Sequence, residues 1–246
     1  MQQPPNQKPV GIQKIAHKIK KAFTVPKIKD TLGVFRPAFI RSCLRGEDRQ
    51  MRRWNRKGRP APAPPAVKQI VLETYADFYR CPVFIETGTH EGGTPYFLRN
   101  HFQQIFTIEL SQDYFLRAKR KLEPFKHIVQ LQGDSGEQLG GILATVDQPC
   151  MFWLDGHYSG GITAKGQKNC PLLEELSHIW RHPNKQHIIL LDDARYFGRL
   201  ESYPSVPELI ELGRQAGYDW EIHYDIFCLT PVGAEKLGTR LRQLIK

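Results

Sequence analysis

The sequence contains few cysteines, and none of them forms a C-x-x-C pair. Five are scattered along its 246 residues, at Cys43, Cys81, Cys150, Cys170 and Cys228. Zinc sites and disulfide frameworks use clustered or evenly numbered cysteines, so this odd and dispersed set argues against both. The composition therefore favours a reducing compartment, and we predict a cytoplasmic protein.

Long apolar runs are also absent. No segment approaches the roughly 18 consecutive apolar residues that a membrane-spanning helix requires. Lysines interrupt the apolar residues near the N-terminus, so no secretory signal is expected there. Apolar residues nevertheless make up 40% of the sequence, enough for the chain to bury a substantial core. We predict one α/β domain with an extension.

Acidic residues are scarce in the first 65 residues, which contain 16 Lys/Arg but only Asp30, Glu47 and Asp48. This segment has a formal charge of +13, whereas residues 66–246 have a charge of −3. The basic character of the chain therefore belongs to an N-terminal extension. Such asymmetry points to an anionic partner, such as a membrane surface, a nucleic acid or an acidic polymer.

A basic amphipathic helix is predicted within this extension. Apolar residues recur at helical spacing between Val10 and Phe23, and lysines lie off the apolar stripe. One interpretation is an anchor in the plane of an anionic membrane, to which each basic residue contributes about 1 kcal/mol. The other is a helix packed on the main domain, and a transit peptide is a third option. The membrane interpretation covers residues 10–59.

The extension ends in a Pro-rich linker. The segment Arg41–Arg59 contains eight Lys/Arg and Trp54, but with so few aromatic residues a nucleic-acid partner is the minority interpretation. The next segment, Pro60–Pro65, is expected to be stiff and extended. We therefore assign residues 1–65 to the extension and linker, and residues 66–246 to one folded domain.

Strand patterns alternate with helical patterns after the linker. The predicted strands are Val83–Glu86, Ile105–Glu109, His127–Gln132, Cys150–Asp155 and His187–Asp192, with a final pair at Trp220–His223 and Ile226–Thr230. The predicted helices are Thr94–His101, Gln112–Leu122, Gly136–Ala144, Leu172–Trp180 and Val206–Ala216. Such alternation indicates a parallel sheet covered on both faces, with ligands at the carboxyl ends of the strands.

A glycine-rich turn follows the first strand. Glu86 ends that strand, and the turn after it contains Gly88, Thr89, Gly92 and Gly93 before a helix begins. Glycine is required where the backbone bends tightly and approaches a ligand. The free N–H groups at the start of a helix make the same place electropositive.

Acidic residues also follow the second and third strands. Glu109 closes the second strand 23 residues after Glu86, where an acid suits the two hydroxyls of a ribose. Asp134 and Ser135 follow the third strand. Asp134 can accept a hydrogen bond from an adenine amino group, or it can cap the next helix. Together the three strand ends predict a cofactor site.

Residues 83–193 resemble the class I S-adenosylmethionine-dependent methyltransferases. The first motif of that family is an acid followed by glycines at alternating positions. Glu86, Gly88 and Gly92 match it, and His90 occupies the place of the central glycine. The resemblance implies a Rossmann-like, doubly wound α/β sheet of seven mostly parallel strands with an antiparallel last strand.

The resemblance also implies S-adenosyl-L-methionine (SAM) as the cofactor, with Glu109 at the ribose and Asp134 at the adenine end. A nicotinamide-dependent dehydrogenase fits less well. Its fingerprint needs glycine at position 90, which is His90 here, and it gains nothing from Glu86.

Three further acids follow the fourth and fifth strands, at Asp155, Asp192 and Asp193. Those strands are neighbours in the fold that the resemblance implies, so the three side chains can converge. Carboxylates in one place repel one another and have raised pKa values unless a cation joins them. Hard oxygen ligands suit Mg²⁺ or Mn²⁺. We therefore predict a divalent metal site, with helix capping by the paired acids as the structural alternative.

The run Asp155-Gly-His-Tyr158 resembles a bacterial methyltransferase subgroup and metal-dependent sugar O-methyltransferases of the macrocin type. In those relatives the corresponding acids bind a metal beside the methyl acceptor. The resemblance implies O-methylation of a sugar or another polyhydroxylated small molecule. His157 is the preferred general base, because the ordinary pKa of histidine is about 6.5, and a buried structural histidine is the alternative. Asp155 is the second candidate catalytic residue. Arg195 either contacts the acceptor or makes a structural salt bridge.

Two other functions stay open. A non-catalytic binding or scaffold protein would keep the fold and act through its basic extension. A nucleic-acid methyltransferase would explain the basic charge. However, the Asn/Asp-Pro-Pro-Tyr/Phe signature of amino-methylating nucleic-acid enzymes is absent after the fourth strand.

Overall fold

Short apolar segments form the strands at the centre of the molecule. The computed structural model describes residues 48–156, 171–200 and 203–245. The strands are β1 (Val83–Thr87), β2 (Gln104–Glu109), β3 (Ile128–Gln132), β4 (Cys150–Leu154), β5 (Ile188–Leu191), β6 (Tyr218–His223) and β7 (Ile226–Pro231). Every residue of β1, β2, β4 and β5 is buried, as expected for strands with helices on both faces.

The seven strands form one sheet in the order β3-β2-β1-β4-β5-β7-β6. The first five are parallel, and β7 runs antiparallel to both β5 and β6. The loops after β1 and β4 leave the same carboxyl edge because the two strands are parallel. The direction of winding reverses between these strands, so the two loops diverge and frame a crevice. The predicted seven-stranded Rossmann-like sheet with an antiparallel end is confirmed.

Helices cover both faces of the sheet. The structure describes α1 (Asp48–Arg56), α2 (Pro65–Tyr79), α3 (Gly93–Leu98), α4 (Gln112–Leu122), α5 (Ser135–Leu143), α6 (Leu172–Arg181), α7 (Val206–Gln215) and α8 (Gly238–Leu244). One buried cluster joins α1, α2, α4 and α8 to one sheet face, through side chains such as Val71 and Phe84. A second joins α5, α6 and α7 to the other face, through Leu139 and Phe152. Among these described helices, none combines the length and the apolar character needed to cross a bilayer.

The elements predicted after the linker are present with small shifts at their ends. α4 matches its prediction because the Ser111 side chain caps it, accepting the N–H of Tyr114. β4 and β5 end one residue earlier than predicted, which leaves the acids after them on loops. No prediction covers α1, α2 or α8. The helix predicted between residues 10 and 23 lies outside the described residues.

The helix α2 lies directly before β1 in the chain. It begins at Pro65, which favours the first turn of a helix, and it ends at Tyr79, before Arg80, whose left-handed φ of 52° caps the C-terminus. α1 packs in the same core, where Met51 and Trp54 are buried. The Trp54 indole N–H also donates to the Pro60 carbonyl at 2.7 Å. The division at residue 65 stays a prediction, but residues before it contribute to the core of the domain.

Candidate functional site

The turn between β1 and α3 brings two loops of the carboxyl edge into close contact. Gly88 has a left-handed φ of 84°, and a Cβ added there would lie 2.4 Å from the carbonyl oxygen of Asp155. Only glycine fits in so little space. Thr89 is buried, and α3 begins at Gly93 after Gly92, whose φ is 70°. Gly88 therefore meets a steric demand of the crevice, Gly92 packs against Leu122 of α4, and Gly93 has open space around it.

Glu86 lies beneath this turn. It is only 1% exposed, and its Oε2 accepts a 2.6 Å hydrogen bond from the hydroxyl of Thr107. Thr107 in turn shares a 2.5 Å hydrogen bond with the hydroxyl of Thr89. Burial raises the pKa of Glu86 to about 8, against the opposing effect of hydrogen bonds from Thr107 and Thr94. Glu86 thus joins the turn to β2 as a buried, hydrogen-bonded group.

Glu109 presents a carboxylate whose two oxygens are both held in place. Oε2 accepts the backbone N–H of His90 at 2.7 Å, and Oε1 accepts that of Ser111 at 2.8 Å. Each oxygen keeps further lone pairs, so the group can still bind two neighbouring hydroxyls, as in a ribose. His90 adopts a left-handed φ of 49°, and its ring packs on Tyr114 with the centroids 4.2 Å apart. The turn therefore accommodates the His90 side chain at the position of the central glycine.

Asp134 is the N-cap of α5, since its Oδ1 accepts the N–H of Gly136 at 2.9 Å. The capping interpretation therefore describes one of its roles. Asp134 also lines a cavity of about 540 Å³ between the starts of α5 and α6. Ser135, the first residue of α5, is buried. This location is compatible with the predicted contact to adenine.

Asp155, Asp192 and Asp193 meet at the carboxyl ends of β4 and β5. One carboxylate oxygen from each lies within 4.8 Å of the others. The register pairs Leu154 with Leu191, which brings the two loops side by side. Loss of hydration raises the pKa values of Asp155 and Asp192, and repulsion among the carboxylates adds to it. The structure thus brings the three predicted acids together.

A lysine from α2 enters this carboxylate cluster. Lys68 Nζ donates a hydrogen bond to Asp192 Oδ2 and lies 3.5 Å from Asp193 Oδ1. Burial is the largest single effect and lowers the pKa of Lys68, but the combined attraction of the three acids outweighs it, so the pKa is raised overall. The group is therefore an ammonium at neutral pH, and its positive charge offsets one of the acids.

Arg195 is a second cationic partner of the cluster. Its Nη1 donates to Asp193 Oδ1 at 2.5 Å and to Asp225 Oδ2, and its backbone N–H donates to Asp225 Oδ1 at 2.8 Å. The salt-bridge interpretation of Arg195 therefore describes its contacts. Lys68 and Asp225 are the members of the site that sequence reasoning missed. The available signal for Lys68 was that it is the one basic residue in α2.

A cavity of about 590 Å³ lies between the turn and the cluster. Charged and polar side chains line one part of it: Lys68, Gln69, Thr94, Asp155, Asp192, Asp193 and Arg195. Apolar side chains line the rest: Pro62, Ala63, Pro65, Leu72 and Trp153. Its size is within the range of small-molecule sites. His157, the predicted general base, lies outside the described residues, which end at Gly156 in this loop.

The site fits the predicted nucleoside cofactor better than it fits the predicted divalent metal. Gly88 and the doubly held Glu109 fit a cofactor that contains a nucleoside. The carboxylate cluster has the hard oxygen ligands that Mg²⁺ prefers. However, Asp192 already uses Oδ1 to accept the Asp193 N–H at 2.8 Å and Oδ2 to bind Lys68. Each oxygen keeps a further lone pair, but the positive charge of Lys68 would repel a divalent ion at Asp192.

Comparison with known proteins bears on the fold. No family model matches the sequence, and no curated protein matches it either. The solved O-methyltransferase from Bacillus cereus in complex with SAH (S-adenosylhomocysteine) has a TM-score of 0.52 at 13% identity, over 89% of this chain and 99% of that chain. The O-methyltransferase TomG from Streptomyces achromogenes, involved in tomaymycin synthesis and in complex with SAM, has a TM-score of 0.50 at 16% identity, over 89% and 96%. This chain shares their fold.

Proposed function

We propose that this chain is a SAM-dependent O-methyltransferase acting on a sugar or another polyhydroxylated small molecule. The observation that carries the proposal is the Glu109 carboxylate, which two backbone N–H groups hold beside the glycine turn. It lies at the crevice where sheets of this topology bind ligands. The two O-methyltransferases with the same fold contain SAM or SAH, and extending that property to this chain is part of the proposal.

In the proposed complex, Glu109 binds the ribose hydroxyls, and Asp134 with Ser135 lies at the adenine end. The turn from Gly88 to Gly93 borders the methionine part. When bound, SAM supplies a methyl group attached to a positively charged sulfur. The buried and partly buried carboxylates along this edge of the sheet favour a cationic ligand.

The charged cavity next to the turn is the proposed acceptor site. Its volume of about 590 Å³ is sufficient for a small molecule. Carboxylates such as Asp155 accept hydrogen bonds from hydroxyls, and Lys68 and Arg195 donate hydrogen bonds to oxygens. The apolar side chains of the same cavity, among them Leu72 and Trp153, can contact the carbon atoms of such an acceptor.

A hydroxyl acceptor must lose its proton when it is methylated. Asp155 is the proposed base, because loss of hydration and the neighbouring Asp192 raise its pKa and thus its affinity for a proton. His157 is the second candidate, two residues further along the chain. Asp155, Asp192 and Asp193 are also the residues that would hold a divalent metal, which would lower the pKa of a bound hydroxyl.

Calorimetric titration with SAH tests the cofactor site. Wild-type protein is expected to bind SAH, and Glu109→Gln should weaken binding about tenfold, or roughly 1.4 kcal/mol, because a charged acceptor is lost. Glu123→Gln changes an exposed acid after α4 in the same way and should bind like wild type. Absence of SAH binding by the wild-type chain would reject the proposal, and methyl transfer to amines instead of hydroxyls would replace the acceptor class.

We also propose that residues 10–59 contact an anionic membrane surface. The charge of +13 over residues 1–65 supports this, as does α1, which buries Met51 and Trp54 while exposing Arg52 and Arg53. Co-sedimentation of the full chain with anionic vesicles should exceed that with neutral vesicles and fall with added salt. Equal binding to both vesicle types, or salt-dependent binding to nucleic acid alone, would contradict the membrane proposal.

A further inference from the structure

The carboxylate cluster at the ends of β4 and β5 contains a cation of the protein itself. Lys68 donates to Asp192, which follows it by 124 residues, so the contact depends on tertiary packing. The lysine side chain is 23% exposed. Its neighbours on α2, Val67 and Val71, are fully buried. The packing of α2 against the sheet therefore keeps the ammonium at the cluster.

The oxygens nearest to Lys68 are already engaged. Asp192 accepts from Lys68 with one oxygen and from the Asp193 N–H with the other. Asp193 Oδ1 accepts from Arg195 at 2.5 Å. A divalent ion requires carboxylate oxygens at about 2.0–2.6 Å, so it would compete with the ammonium for Asp192. Ion and ammonium would also repel each other, strongly so at a partly buried position.

We propose that Lys68 takes the place of a divalent metal in this carboxylate cluster, with Arg195 as the second cation at Asp193, so that the chain orients its acceptor without a resident divalent metal. The identity of the acceptor rests on the proposed function, whereas the identity of the cation does not. The lysine takes the place of the metal expected from sequence. Three converging acids do require a cation, and α2 provides one.

The kind of cation determines how an acceptor is bound. A divalent metal has several coordination positions and can bind two neighbouring oxygens of one molecule. An ammonium has only N–H donors and binds oxygen through hydrogen bonds. Lys68 already donates one N–H to Asp192, and a remaining donor can hold an acceptor through a single oxygen. A pair of adjacent hydroxyls is not required, so the substrate class extends to molecules whose hydroxyls are isolated.

Binding of Mn²⁺ to the full chain, followed by electron paramagnetic resonance, tests the proposal without relying on methyl transfer. Wild-type protein should leave Mn²⁺ free at concentrations where Lys68→Met binds it. The gain in affinity should be about tenfold or more, because a repelling charge is removed. Lys68→Arg keeps the charge and should resemble wild type. Lys119→Met, at an exposed position of α4, is the matched control and should also resemble wild type.

Three results would overturn the proposal: Mn²⁺ binding by wild-type protein that Asp192→Asn abolishes, equal affinities in wild type and Lys68→Met, or loss of wild-type methyl transfer in EDTA. The first result compares wild type with Asp192→Asn, and the third uses wild type alone. Both proteins keep Lys68, so these results decide the question even if Lys68→Met does not fold. SAH titration of the same wild-type sample separates the two proposals. Failure to bind SAH rejects the methyltransferase and leaves the Mn²⁺ result unaffected.

Discussion

Two charge clusters on α2 differ in their surroundings. Near the start of the helix, Lys68 meets Asp192 beside a cavity. Asp77 lies nine residues after Lys68 and therefore about 13 Å further along the helix. There His101 lies between two acids, with Nε2 3.4 Å from Glu73 and Nδ1 3.2 Å from Asp77. Both clusters combine acids with an internal cation, and the first lines a cavity of about 590 Å³.

The two clusters differ in whether their charged groups line a cavity or bind one another within the fold. Both ring nitrogens of His101 bind acids, so the imidazole joins α2 to the segment after α3 and has no nitrogen left for a ligand. Asp155, by contrast, lines a cavity of about 590 Å³ together with Lys68 and Arg195. We infer that the first cluster serves ligand binding and the second serves stability. Each cluster can be disrupted by a substitution that leaves the other intact.

The largest expected effect follows from Asp155→Asn. The amide keeps the shape of the side chain but cannot take a proton from the acceptor. We therefore expect kcat for SAH formation to fall by about 10²–10⁴-fold, the usual contribution of a general base. SAH affinity, measured by calorimetry, should stay near that of wild type because the substitution lies outside the proposed cofactor contacts.

The same change in the other cluster is the control for this comparison. Asp77→Asn removes a carboxylate that contacts His101, and it should lower the free energy of unfolding while leaving kcat unchanged. Comparable losses of kcat in both variants would show that the two clusters do not divide function and stability as inferred. A wild-type rate in Asp155→Asn would assign the proton to another base, with His157 as the next candidate.

The core of the domain was predictable from sequence because its signals are local. The strands are short apolar runs, and α4 begins at a side-chain cap, Ser111, directly before its apolar pattern. The acids after the strands could be located for the same reason. Since parallel strands end at one edge, Asp155 and Asp192 were expected to converge before their positions were known.

The missed parts depend on long-range packing. α2 is buried from Ile70 to Ala76 without interruption, so its polar and apolar residues do not separate into the amphipathic pattern by which a helix is recognised. Lys68 therefore had no predicted element to carry it. Its partner Asp192 is 124 residues away, a distance at which sequence order alone does not indicate contact. The sequence therefore predicted a metal site from the three acids, because it gave no indication that Lys68 lies among them.

A smaller effect, on stability alone, is expected from His101. Burial lowers its pKa, but the hydrogen bonds and charges of Asp77 and Glu73 outweigh this and raise the pKa to about 9. Because the pKa is higher in the folded state, the contribution is fully present below about pH 6.5 and is lost as the pH rises through about 9. We expect it to be about 2–3 kcal/mol for this partly buried group.

Urea unfolding of wild type and His101→Gln measures this contribution. The two free energies of unfolding should differ by about 2–3 kcal/mol near pH 6 and converge near pH 10, because the remaining groups titrate alike in both proteins. A difference that does not change with pH would show that His101 acts through packing and not through its charge. Methyl transfer near neutral pH should be the same for both proteins, which keeps the two clusters distinct.

During synthesis, Lys68 leaves the ribosome well before Asp192. Their separation of 124 residues corresponds to roughly 6–25 s at ordinary rates of chain elongation. In that interval β5 is absent, and apolar contacts of α2, such as those of Val67 and Val71, are available to hold the helix on the growing sheet. We expect the acids after β5 to meet a positive charge that is already in place, so that part of the repulsion among the carboxylates is offset as this edge of the sheet forms.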